Sequence, residues 1–235
     1  MRYALRGGVV LAFAAMLTAQ AALGQAWEKK PYTEWSKDET VKVLSDSPWA
    51  TEEVITDVRA STAGNNLSTG NNNTGSKVTY QIQIRSAQPI RAAIVHMQQL
   101  SPRYQQMPAD QKQRIDANAD AFINGKSDEI SFWVNYSCDV PTLAMDLKRY
   151  WETQTAGTMA NKIFLQVSGS QKLDPTYFGP GPNNSFEIRF PRPKDISADG
   201  SLTLQFNHPG IGPSTRKVLA EFKLKKMKVN GTPSF

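Results

Sequence analysis

The chain has 235 residues, with 27 Lys and Arg against 21 Asp and Glu, and a single cysteine. Its length suits one sizeable core or two small ones. The formal charge of +6 is modest, and one cysteine excludes a disulfide scaffold within the chain, so burial must hold the fold unaided.

The chain opens on Met1-Arg2-Tyr3-Ala4-Leu5-Arg6, which is basic and free of acid. An apolar run from Val9 to Leu17 follows, then small residues up to Gly24. Basic, apolar and small is the order of a signal peptide, and Ala22 and Gly24 suit cleavage before Gln25. Residues 1–24 therefore read as a signal peptide and 25–235 as a single α+β domain. A membrane anchor needs about 20 predominantly apolar residues, and Thr18 and Gln20 interrupt this run too early. No cysteine follows the cut to carry a lipid. The expectation is a periplasmic or secreted protein that is not a lipoprotein and has no membrane span after cleavage. Losing Arg2 and Arg6 lowers its charge to +4.

Trp27, Trp35 and Trp49 fall within 23 residues of one another. Ser36-Lys37-Asp38-Glu39 has the form of a capping box and predicts a short helix through Leu44, with Val41 and Leu44 on its inner face. Proline at 48 ends it. Glu53 to Arg59 alternates as a strand. Ser61 to Lys77 is rich in Asn, Gly, Ser and Thr and predicts a flexible polar loop. Val78, Tyr80, Ile82 and Ile84 alternate strictly, which predicts a half-buried strand paired with the first across that loop.

Helical spacing then runs from Pro89 to Leu100 and from about Pro108 to Asn124, the second with Ile115, Ala119 and Phe122 as its stripe. Gly125 is placed to close it in a left-handed cap. Glu129 to Tyr136 returns to strand, with Ile130, Phe132, Val134 and Tyr136 inward. Asp139 is expected to cap a helix holding Leu143, Leu147 and Trp151. From Asn161 onward the pattern is all strand, at Ile163–Val167, Phe186–Phe190, Leu202–Phe206 and Val218–Val229. The stretch from Phe178 to Asn184 reads as a stiff turn. The sum is an antiparallel β-sheet or β-sandwich with three or four flanking helices.

Candidates for chemistry are few. His96 lies mid-helix and His208 in a turn; with Cys138 they are the candidate catalytic residues. Cys138 stands between a strand end and a helix start, where a thiol gains reactivity, though Asp139 beside it pulls the other way. No His-Glu-x-x-His or Cys-x-x-Cys spacing marks a metal site, and no glycine-rich loop cradles a cofactor phosphate. No metal or cofactor is therefore expected. The carboxylate pairs Glu52-Glu53 and Asp128-Glu129 point to opposite strand faces.

Two binding surfaces remain. Trp27, Trp35 and Trp49 either pack an N-terminal arm on the body or form a carbohydrate-stacking platform. Packing is favoured, because the helix is too short to be stable alone. Lys223, Lys225, Lys226 and Lys228 either blunt a sheet edge or meet an anionic partner such as a phospholipid surface or acidic glycan. Edge protection is the plainer account.

Lys30-Pro31-Tyr32-Thr33-Glu34-Trp35-Ser36, Leu44-Ser45-Asp46-Ser47-Pro48-Trp49-Ala50, Ile84-Arg85-Ser86-Ala87-Gln88-Pro89-Ile90 and Lys226-Met227-Lys228-Val229-Asn230-Gly231 together resemble segments of uncharacterised exported bacterial proteins. That resemblance implies an envelope or secreted setting and names no site or activity. The functional expectation is a non-catalytic binding or structural protein, its partner another envelope protein or a glycan rather than nucleic acid. The competing readings are a thiol-dependent hydrolase or transferase using Cys138, and a glycan-binding module using the N-terminal tryptophans.

Overall fold

The computed structural model describes residues 26–57, 76–168, 172–194, 196–209 and 216–235. The expected signal peptide and residues 61–75 of the polar loop lie outside the described residues.

The fold is α+β, built on two antiparallel sheets. The first runs β1 (Ala50–Asp57), β2 (Ser76–Ile84), β3 (Glu129–Cys138), β7 (Ser185–Pro191) and β6 (Tyr177–Gly181). The second runs β5 (Lys172–Leu173), β4 (Ile163–Val167), β8 (Ser201–Asn207) and β9 (Lys217–Lys223). A last small hairpin pairs β10 (Lys228–Val229) with β11 (Thr232–Pro233). Among the described residues, four helices exceed eight residues: α2 (Lys37–Ser45), α3 (Gln88–Gln99), α5 (Ala109–Asn124) and α6 (Pro141–Glu152). Single turns α1 (Ala26–Lys29), α4 (Pro102–Gln105) and α7 (Ala156–Met159) complete the set.

Period-two alternation decides which way each sheet faces. Val78, Tyr80, Ile82 and Ile84 of β2 are fully buried, as are Ile130, Phe132 and Val134 of β3. The second sheet answers with Leu202, Leu204 and Phe206 of β8 and Val218 and Ala220 of β9. Rings meet across the gap, Tyr80 with Phe206 at 5.2 Å and Phe132 with Phe222 at 5.8 Å. Helix α6 closes one end of this layer. Its Trp151 stacks on Phe186 at 4.4 Å and stands edge-on to Phe206 at 5.8 Å. Removing so large a buried ring costs about 3–5 kcal/mol.

The outward residues of β2 have a use that their polarity alone does not announce. Gln83 donates to the Leu44 carbonyl at 2.7 Å and Gln81 to the Ser45 carbonyl at 3.0 Å. Those carbonyls end α2 and have no partner within the helix, so the sheet caps the helix. At its other end the capping box forms as expected. Ser36 accepts from the Glu39 amide at 3.2 Å, and Glu39 accepts from the Ser36 amide at 2.6 Å.

Several local expectations are corrected. Helix α2 buries Thr40 and Val43, while Val41 is exposed; inward positions follow the 40–43 spacing instead. Phe122 of α5 is likewise exposed, and Ala119 and Ile123 face the core. Gly125 has φ −59° and ψ 133°, so it leaves α5 extended rather than left-handed. Asp139 does not cap α6, because its carboxylate accepts from the Lys77 amide at 2.7 Å and ties β2 to β3. Tyr177–Gly181 is strand β6, and the turn is confined to the residues after it, where Asn183 and Asn184 take positive φ. Glycine is required on β6: a Cβ at Gly181 would lie 2.6 Å from the Trp133 ring. The run from Val218 to Val229 breaks at a 310 turn over Leu224–Lys226.

Two predictions follow from the core. Tyr80 shares a hydrogen bond of 2.7 Å with His208 Nδ1, deep between the sheets. Burial holds the Tyr80 phenol well above its ordinary value and pushes Tyr136 up to about 12. An acid whose folded pKa is raised favours the folded state below pH ~10, the ordinary tyrosine value, and loses that contribution as pH climbs through the folded one. Tyr80→Phe should therefore cost about 1–3 kcal/mol at neutral pH by orphaning a buried polar partner. It should also flatten the alkaline arm of the pH–stability curve measured by urea unfolding.

Glu53 faces inward, opposite Tyr80 in the β1–β2 register, and forms no ion pair among the described residues. Burial raises its pKa, so folding is penalised where Glu53 is ionised and relieved as pH falls. Glu53→Gln should raise the melting temperature at pH 7, with the gain shrinking towards pH ~4 as the native carboxylate protonates. Equal gains at both pH values would refute this reading.

Candidate binding trough

The two histidines singled out for catalysis each brace a neighbouring segment. His96 is buried in α3, and its Nε2 sits 2.7 Å from the Trp35 carbonyl. A carbonyl only accepts, so Nε2 carries the proton and the ring pins the N-terminal arm to α3. His208 is buried against Tyr80 as described. The Cys138 thiol donates toward Asp139 Oδ1 at 3.9 Å and accepts from the Val140 amide at 3.4 Å. It ends β3 opposite Val78, near enough to act electrostatically on Tyr80, the partner of His208, whereas His96 lies with the Trp35 arm. The three candidates do not assemble into one site. Among the described residues, no group of three or more His, Cys, Asp or Glu is placed to hold a metal, and no helix is long and apolar enough to cross a membrane.

The tryptophans divide as well. Trp49 is wholly buried and Trp35 nearly so, which denies both a stacking face for a sugar. Trp49 packs edge-on to Trp27 at 5.4 Å, and its indole N–H donates to the Ser234 carbonyl. The arm and the chain's last residues are thereby fastened to the same ring. Trp27 alone of the three is only half-buried.

Trp27 also stands between two depressions of the surface. On one side lies a depression of about 830 Å³ at the meeting of β1, β9 and the final hairpin. Lys42, Lys223, Lys225, Lys226 and Lys228 line it, with Glu28, Asp46 and Glu221. On the other side a depression of about 400 Å³ carries Lys29 and Lys30; Trp27 and Glu28 line both. A third, of about 470 Å³, shares Gln88 and Ile123 with the second and adds Arg91, Lys126, Arg192 and Asp128. Shared lining residues make these three depressions neighbours, a trough in three sections.

Its charge decides what it can accept. The lining residues sum to +6, from ten cations and four acids. The whole chain after the expected cleavage carries only +4, so all other residues together are net negative. Among the described residues, Lys30 alone of the ten has an Asp or Glu side chain in ion-pair contact, Glu39 at 2.8 Å. Edge protection accounts for Lys217 and Lys223 on β9. It does not account for Lys42 at the end of α2, or for Arg91 on α3 and Arg192 after β7. These come from separate elements and converge on one concave surface. Sequence reading found the C-terminal lysines but missed Lys42, Arg91, Lys126 and Arg192, whose common surface no local spacing reveals.

The Cys138 geometry carries its own test. A thiol donating to a carboxylate should react with iodoacetamide at pH 7 no faster than a cysteine in an unstructured peptide. Acceleration of about tenfold or more would instead mark an activated nucleophile.

No protein-family model matches this chain, and no curated protein matches it. Two solved structures are similar to parts of it. One is a novel protein of unknown function from Burkholderia pseudomallei, with a TM-score of 0.40 and 11% identity over 62% of this chain and 74% of that one. The other is the N-terminal part of the bacterial S-layer protein SbsC, with a TM-score of 0.24 and 11% identity over 57% of this chain and 33% of that one. Likenesses this distant carry nothing over to the trough.

Proposed function

We propose that this is an exported, non-catalytic binding protein of the bacterial envelope or secretome, whose trough holds an extended anionic glycan. The observation that carries the reading is the +6 lining around a half-buried Trp27. Lysine ammonium groups are mobile point charges on long stems, suited to a polymer whose charges recur without one fixed geometry. An aromatic ring between two depressions offers the apolar face on which a sugar ring stacks. A phospholipid bilayer is a poorer match, because its surface cannot enter a concave trough. The leader-like N-terminus supports export, and with it a periplasmic or secreted location.

Polygalacturonate oligomers are a suitable probe. Calorimetric titration should show binding that weakens steeply as salt rises. Lys225→Gln with Lys226→Gln should weaken it further and reduce the salt dependence, while shifting stability by no more than about 0.5 kcal/mol each. Trp27→Ala should weaken it at every salt concentration. Absence of binding at low ionic strength, or binding indifferent to the lysine pair, defeats the proposal.

A further inference from the structure

The third depression differs in chemistry from the other two. Its cations include two arginines, Arg91 from α3 and Arg192 from the segment after β7. They are close enough that the charge on Arg192 adds to burial in drawing the Arg91 pKa below its ordinary value. The nearby negative charge on Arg192 is Asp128. Neither guanidinium has an Asp or Glu side chain in ion-pair contact among the described residues.

Their hydrogen bonds are few and go to main-chain oxygens. Arg91 Nη1 donates to Gly125 at 2.6 Å. Arg192 donates from Nε to Ser127 at 3.0 Å, from Nη1 to Phe235 at 2.6 Å, and from Nη2 to Glu129 at 3.4 Å. Each guanidinium has five N–H groups, so most of the Arg91 donors remain for another acceptor. Arg91 Nε is buried and has no acceptor at all. These bonds hold both groups in place, and Arg91 has the fewer acceptors of the two.

We infer that the Arg91–Arg192 depression is an oxyanion subsite, which grips one carboxylate or phosphate group of the anionic glycan in the trough. The inference rests on the proposed glycan reading and adds to it a fixed anchoring point. Planar guanidinium groups take carboxylate and phosphate oxygens two at a time. An arriving oxyanion would take the Arg91 Nη donors that Gly125 leaves open and offset the charge that Arg192 feels beside it. Lys126, at the rim of the same depression, adds a third cation. The lysine section of the trough then contributes attraction and the arginine section contributes register.

Two measurements test this, each with polygalacturonate in one arm and a glycerol-phosphate oligomer in the other. The arm that binds more tightly identifies the acid group. First, Arg91→Gln should weaken binding of that oligomer by about tenfold or more, as loss of charge-assisted bonds does. Arg91→Lys, which keeps the charge but not the fork, should not restore it. Melting curves of both variants establish that the fold survives. Second, in the unmodified protein the Arg91 Nε–H resonance should shift and saturate with either probe, even with galacturonate monomer or inorganic phosphate. Oligomer binding that falls with the lysine variants but changes less than twofold in Arg91→Gln overturns the subsite and leaves the trough reading intact. A saturating Arg91 resonance with the small anions, without oligomer binding, does the reverse. A resonance unmoved by every probe overturns the subsite outright.

Discussion

Trp151 lies flat against Phe186 and edge-on to Tyr80 and Phe206, so one helix side chain touches rings from both sheets. A single cysteine gives the chain no disulfide of its own, and this buried layer holds the sheets together. Everything else is arranged on its margins. Helix α6 enters the layer through Trp151, while Phe132, Phe190 and Phe222 close its other end. Loss of the ring contacts would leave β1–β2 as a ladder with polar groups on one face and nothing on the other. The sheets are thus mutual conditions for each other's stability, which is the usual position of a sandwich without covalent staples.

Strand existence and facing were largely legible in the amino-acid order, because alternation leaves a direct mark. Val78 to Ile84 and Ile130 to Tyr136 could hardly pack otherwise. Helix faces were less legible. In α2 the choice between Val41 and Val43 depends on the angle at which the helix crosses the sheet, and only a third element settles that. Caps misled in the same way. Asp139 has the right chemistry for a helix start, yet a competing amide at Lys77 claims its carboxylate. Gly125 permits a left-handed cap without requiring one. In each case a local preference of a kcal/mol or less met a tertiary contact worth more.

The histidines show the same effect at the level of function. From sequence, His96 and His208 were the bases available near neutral pH. Packing converts both into struts, one holding the N-terminal arm through Trp35 and the other bracing Tyr80. The tryptophans follow suit: Trp49 anchors both the arm and Ser234, and Trp35 is sealed beneath Tyr32 and His96. Residue types that advertise chemistry were spent on joining segments. A chain without disulfides has strong reason to use them so, since a buried ring with one polar contact fixes both position and orientation.

That economy explains why the trough lies where it does. The arm, the start of β1 and the final hairpin converge because Trp49 binds Trp27 on one side and Ser234 on the other. Three segments brought together at their ends leave concave seams between them, and the residues at those seams cannot be apolar without exposing a core. Lysines and arginines satisfy that constraint with long stems that cover apolar surface and charges that reach water. Solvation alone, however, would be served equally by acids. The sign bias toward cations is therefore the part that packing leaves unexplained, and it is on that bias, rather than on the concavity, that a binding role rests.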